Sequence, residues 1–222
     1  MNIKNCLCFV LLAGFSFASY SQTATPPSAT TTTFSIRAGV NFQNLNGKDA
    51  AGDKLENKLK VGFNAGVLAD IPVAAPDYFV QTGLLFSTKG AKVEGFDEDV
   101  KVKLSYLEVP ITFLYTPVLG EGRLLMGIGP YIGFAIGGKV DDTDIEFDNE
   151  ITEPQSISGT PYFKRFDAGG NVVFGYLFTQ NLSAQLNAQL GLVNIMPKIQ
   201  GGFDNDATIK NTGFGISLGY RF

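Results

Sequence analysis

The chain has no histidine and no tryptophan, only two cysteines, and charged residues at just 17%. Each shortage excludes something. Without histidine there is no Ser-His or Asp-His pair for general-base chemistry and no imidazole to hold a metal ion. No enzyme activity, cofactor, catalytic residue or metal ligand is therefore expected, and carboxylate-only catalysis is the one enzymatic route left open. Both cysteines, Cys6 and Cys8, fall within the first 21 residues. There Lys4 precedes an apolar stretch from Leu7 to Phe17 and a small-x-small site, Ser19-Tyr20-Ser21, ahead of Gln22. That is the layout of a secretory signal peptide over 1–21. A mature chain beginning at Gln22 has no thiol, and so no disulfide and no lipid-modified cysteine. Losing Lys4 leaves 16 basic against 21 acidic residues, a net charge near −5 that disfavours nucleic acid as a partner.

Also missing is any apolar run in the mature part long enough for a spanning helix, which needs about 20 residues. Residues 22–33, QTATPPSATTTT, have nothing to bury and read as a flexible periplasmic leader. What the remaining 34–222 does have is alternation with period two, the mark of strands. Leu182, Ala184, Leu186, Ala188, Leu190 and Leu192 share one face, opposite Ser183, Gln185, Asn187, Gln189 and Gly191. Phe214, Ile216, Leu218, Tyr220 and Phe222 repeat the pattern at the C-terminus, as do Leu124 to Ile136 in mid-chain. The same phase predicts strands at 33–43, 60–71, 78–89, 101–115 and 165–178, eight in all.

A soluble lipocalin-like barrel also alternates, with its apolar face inward. Residue type separates the two cases. A water-facing sheet is expected to carry many Lys and Glu, whereas the polar face here is mostly Gly, Ser, Asn and Gln, and 124–137 contains no charge. Small polar residues suit a narrow lumen and large aliphatic ones suit lipid. The links between strands then run long (44–59), short (72–77), long (90–100), short (116–122), long (138–164), short (179–181) and long (194–210), as in barrels with short periplasmic turns and longer outer loops. Phe34, Tyr78, Tyr115, Phe178, Tyr220 and Phe222 fall at the periplasmic strand ends, where interfacial rings are expected. The fold expected is all-β, an eight-stranded antiparallel transmembrane β-barrel in the outer membrane. Pro110 and Pro130 break the pattern, and a β-bulge is expected at one or both.

The alternation turns Arg37, Asp70, Glu108, Asp167 and Arg221 inward, and charges in a low-dielectric interior must be paired. Arg37 with Asp70, on adjacent strands, is the expected pair, and Glu108 and Arg221 could meet across the lumen. The loop 141–153 carries seven acidic residues in thirteen and could take Ca²⁺. It lacks the spaced Asp/Asn and Gly of an EF-hand, so it reads as a solvated outer loop, bridged loosely by divalent ions to lipopolysaccharide.

Several of these strands resemble the PorT-like outer-membrane β-barrel family of Bacteroidetes-type bacteria. The matching stretches are Arg37-Ala-Gly-Val-Asn41, Gly62-Phe-Asn-Ala-Gly66, Ser105-Tyr-Leu-Glu-Val-Pro110, Gly129-Pro-Tyr131 and the terminal Gly219-Tyr-Arg-Phe222. The resemblance spans nearly all of 34–222, and Tyr-Leu-Glu-x-Pro is its most specific element. It implies location and fold more than activity, although the family's namesake is linked to secretion and gliding machinery. The terminal Tyr220 and Phe222 are similar to the signal by which outer-membrane assembly machinery recognises its substrates. The partners implied are outer-membrane lipid and lipopolysaccharide, that assembly machinery, and an envelope or surface protein. A structural or surface-interaction barrel, a narrow porin-like pore and a soluble ligand-binding barrel remain as alternatives, the first favoured because eight strands leave little room for a water-filled route. Mass spectrometry of protein taken from the cell envelope should find Gln22 at the N-terminus; intact Met1 would remove the signal peptide.

Overall fold

A computed structural model describes residues 31–49, 52–73, 76–93, 99–200 and 207–222. The expected signal peptide, 1–21, and most of the expected leader, 22–33, lie outside the described residues. Among the described residues the alternating segments form eight long strands: β1 (Thr33–Lys48), β2 (Lys60–Pro72), β3 (Tyr78–Val93), β4 (Val100–Tyr115), β5 (Gly122–Val140), β6 (Phe166–Leu177), β7 (Leu182–Gly191) and β8 (Thr208–Arg221). Each pairs antiparallel with the next, and β8 returns to β1, so the sheet is a closed barrel without an open edge. Closure leaves every strand with two partners, which is what allows backbone polar groups to sit in hydrocarbon.

The two faces divide as period two requires. Outward point Ile36 and Val40 of β1, Phe63 and Val67 of β2, Val109, Ile111 and Phe113 of β4, Ile128, Ile132 and Phe134 of β5, and Leu186 and Leu190 of β7, all exposed. Inward point Asn41, Asn64, Gln81, Thr112, Asn171, Gln185 and Ser217, all buried. An apolar exterior around a polar interior rules out the soluble lipocalin-like alternative, which needs the reverse. Tyr78 stacks on Tyr115 at 4.7 Å, Tyr220 meets Phe222 edge-on at 5.4 Å, and Phe34 and Phe178 are exposed close by, which sets these rings at the end of the barrel that carries the C-terminus.

Four of the strands run further than their apolar alternation predicts. β1 continues to Lys48, β3 to Val93 and β5 to Val140, and β8 begins already at Thr208, all at the end with the long links. There the outward positions change to Asn and Lys, which erases the hydrophobic signal while the ladder goes on.

The bulge expected at a proline lies elsewhere. The β4–β5 register shifts between Ser105↔Gly137 and Tyr106↔Ala135, so the extra residue is Ile136. The prolines instead open gaps in a ladder that keeps its register. Pairing of β3 with β4 stops between Thr82↔Ile111 and Leu85↔Glu108, around Pro110, and pairing of β4 with β5 stops between Pro110↔Tyr131 and Phe113↔Ile128, around Pro130. A missing N–H removes bonds on one side of a strand only, and the intact ladder on the other side holds the register. Pro130 still pairs with Gly170 of β6.

Gly90 has a φ of 127°, and a Cβ there would sit 2.0 Å from the Val102 carbonyl oxygen. Gly90→Ala should therefore destabilise the barrel by about 1–3 kcal/mol. Gly170, with open space where a Cβ would go, should accept Ala with little change. Heat-modifiable migration on gels, read across a temperature series, separates the two.

Candidate functional site in the barrel interior

An eight-stranded barrel has an interior just wide enough for side chains to fill. Its centre is occupied by Lys89 of β3, 1% exposed, with Nζ 2.6 Å from Glu108 Oε1 and 3.1 Å from Asp167 Oδ2. The ammonium also lies 4.2 Å from the ring centre of Tyr131 and 5.3 Å from that of Tyr106. Such contacts favour a desolvated cation because the ring faces are negative. Asp167 Oδ2 accepts two further hydrogen bonds, from the Tyr131 hydroxyl at 3.1 Å and Asn211 Nδ2 at 3.0 Å. Glu108 Oε2 accepts one from Gln189 Nε2 at 3.1 Å. Alongside, Asn41 Nδ2 donates to Ser87 Oγ at 3.2 Å and Asn64 donates to Asn41 Oδ1. All eight strands contribute a side chain to this layer, which ties the wall together across the lumen.

Towards the end with the C-terminus, Arg221 Nη2 lies 2.5 Å from Asp70 Oδ2, and Gln81 Nε2 donates to Asp70 Oδ1 at 2.8 Å. Arg37 is buried, and its Nε has no hydrogen-bond partner among the described residues. It lines a cavity of about 20 Å³ with Asp70, Gln81, Gln185 and Arg221, space for one water molecule. Below it Leu114, Leu125 and Leu177 pack with Phe79 as an apolar floor. A mouth cavity of about 220 Å³ opens beneath, its rim carrying Arg123, which pairs with Asp77.

At the opposite end Leu45, Ala91, Val102, Leu104, Tyr106 and Ala135 form an apolar core with Ile145, Phe163 and Ile195 from the long links. The described residues of those links are folded. Glu146–Phe147 pairs with Tyr162–Phe163, and Glu150–Thr152 with Lys198–Gln200. Lys164 N–H donates to the Ile195 carbonyl at 2.7 Å, and Ile195 N–H to the Ile209 carbonyl at 2.9 Å. Arg165 lies over Phe147 at 4.8 Å and donates to the Ala135 carbonyl. The interior is thus three layers deep: apolar, ionic and apolar.

A closed barrel with an apolar exterior accords with the family match. The model of the outer membrane protein beta-barrel domain matches residues 14–196. The chain belongs to that family. As a member of it, this outer-membrane barrel has no match among curated proteins. Among solved structures it is similar to Ail, the attachment invasion locus protein of Yersinia pestis, at 15% identity and a TM-score of 0.42, over 86% of this chain and 98% of that one. It is also similar to OprG of Pseudomonas aeruginosa, at 15% identity and a TM-score of 0.47, over 87% and 97%. AlkL gives 10% identity and a TM-score of 0.28, over 92% and 97%.

Of the five charges assigned to the lumen, Arg37, Asp70, Glu108 and Asp167 are fully buried and Arg221 is partly so. Their expected partners differ. Arg37 does not pair with Asp70, because the β1–β2 register sets Arg37 opposite Gly66 and Asp70 opposite Thr33, roughly 13 Å away along the strand. Arg221, opposite Ser35 on the other side of β1, is nearer in level and takes Asp70 instead. Nor does Glu108 reach Arg221: Glu108 sits halfway along β4 and Arg221 at the end of β8. Glu108 takes Lys89, which the alternation did not assign. Lys89 shares its face with Gln81 and Ser87, so the signal was present. The expected strand ended at that residue, where a lysine reads as rim. With Lys89 included, three cations balance three anions. Tyr220 and Phe222 lie at the exposed end of β8, with the Phe222 N–H bonded to the Phe34 carbonyl at 2.9 Å.

Lys89→Met strands two buried carboxylates beside each other, and should lower stability by about 3–5 kcal/mol. Adding Glu108→Gln and Asp167→Asn removes the uncompensated charge and should restore most of it. Guanidinium unfolding of the refolded barrel in detergent measures both, and equal losses in single and triple variants would show that packing, not charge, governs the site.

Proposed function

We propose that this outer-membrane barrel is a non-conducting, non-catalytic protein that works through its folded long links, as a surface-interaction or envelope-assembly component. The observation that carries this reading is the three-layered filling of the lumen. An ion crossing it would have to displace an apolar core, break the pairs at Lys89 and pass a second apolar layer. Each barrier is a desolvation step with no compensating water-lined path. The complete lack of histidine supports the non-catalytic part. With long links outside and short turns in the periplasm, the usual arrangement in such barrels, the paired segments over 143–165 and 195–200 form a shaped platform at the cell surface.

The narrower PorT-like assignment rests on the motif residues. Arg37, Asn41, Asn64, Tyr106, Glu108 and Tyr131 all turn into the lumen, so the motifs that carry the resemblance are the ones that fill the barrel. In this reading Tyr220 and Phe222 serve as the assembly signal, and the protein's partner is an envelope or surface protein.

Planar bilayers loaded with the purified barrel should show no stable conductance, and epitope tags at 147–151 should label on whole cells while tags at 117–121 should not. Reproducible open-channel currents would make the narrow pore the better reading. Equal labelling at the two positions would invert or refute the orientation.

A further inference from the structure

On the outer wall, at the end with the long links, the register lines up lysines across neighbouring strands. Lys58 lies opposite Lys92, Lys92 opposite Lys101, and Lys103 opposite Lys139. Directly opposed residues share a face. Lys101 and Lys103 follow the outward phase of Leu107, Val109, Ile111 and Phe113 on β4, so the whole row points away from the lumen. Five lysines thus gather on one stretch of wall in a chain whose net charge is −4.

Like charges set directly opposite each other destabilise a sheet, and among the described residues two ion pairs offset them. Lys58 pairs with Asp99 at 3.1 Å and Lys139 with Asp144 at 3.3 Å. Among the described residues Lys92, Lys101 and Lys103 make no ion pair. Below the row lie the exposed apolar side chains of Leu107, Phe134 and Ile136, with Val61 near the start of β2. A ligand that satisfies both surfaces has a polyanionic head at the height of the lysines and apolar chains running down the wall. A soluble anion would have no use for the second surface. Long lysine stems suit such a boundary, because they cover apolar surface while the ammonium reaches the headgroup layer.

We propose that this lysine row is a binding site for the phosphate groups of an outer-leaflet glycolipid, the lipid A portion of lipopolysaccharide, whose acyl chains lie against β2, β4 and β5. Lipopolysaccharide then meets the protein through its side wall, rather than through cations bridged to the acidic 141–153 loop. The site rests on the orientation that puts the long links outside but not on the non-conducting reading, and a lipid-binding measurement on purified protein can fail without touching either.

The test is native mass spectrometry of the refolded barrel in detergent with bisphosphorylated lipid A, its dephosphorylated form or phosphatidylglycerol added. Wild type should retain bisphosphorylated lipid A at least about tenfold better than the dephosphorylated form, and Lys92→Gln/Lys101→Gln/Lys103→Gln should remove that preference. Lys164→Gln/Lys198→Gln, on the long links, should leave it intact, and heat-modifiable migration verifies that both variants are folded. Equal retention of the two lipid A forms, or a triple variant that behaves as wild type, would overturn the proposal. Retention of phosphatidylglycerol as strong as that of lipid A would also overturn it, by reducing the row to a general anionic-lipid surface.

Discussion

Everything inside this barrel is arranged around one ammonium group. Lys89 is buried at the centre of the lumen, and a lone charge there would be intolerable. Two carboxylates from β4 and β6 neutralise it, and two tyrosine rings close over it. Two carboxylates beside one cation then need donors of their own, which Gln189, Asn211 and the Tyr131 hydroxyl supply. The demand for partners propagates until every strand of the closed sheet has given a side chain. A lumen of this width has no alternative solvent, so each polar group must find its partner on another strand.

The wall changes its solvent partway along its length, and the polarity of its two faces changes with it. In the middle of the barrel apolar residues face outward and polar ones inward. At the end with the long links, β3, β4 and β5 run on beyond the apolar band. There the outward positions become lysine, while the inward ones become Ala91, Val102 and Leu104, packed under Ile145, Phe163 and Ile195. The upper section is built as a water-soluble sheet is built, with an apolar core inside. That single inversion accounts for both the folded platform and the lysine row beneath it.

The stretches that carry the family resemblance follow from the same geometry. Tyr106 and Glu108 occupy alternate positions of β4 and so reach the interior together. Pro110, two residues on, keeps that phase because it opens the ladder without shifting it. Tyr131 comes in from β5 next to a second proline that does the same. These residues are spaced by strand parity, which is why they form short motifs and yet meet in one cluster.

Period-two alternation, residue size on the polar face and the rhythm of long and short links were enough to read eight strands, a lipid-facing exterior and an inward set of charges from the sequence. These are local properties: a side chain's face depends on its parity within one strand. Which charge meets which could not be read that way. Arg221 rather than Arg37 holds Asp70, and Lys89 rather than Arg221 holds Glu108, because partners across a barrel are set by the register of several strands together. The lysine row has the same origin: Lys58, Lys92, Lys101, Lys103 and Lys139 are scattered over 80 residues and share one surface only through three separate ladders. Parity is written within each strand, whereas register arises only when the sheet closes and each strand must satisfy two neighbours at once.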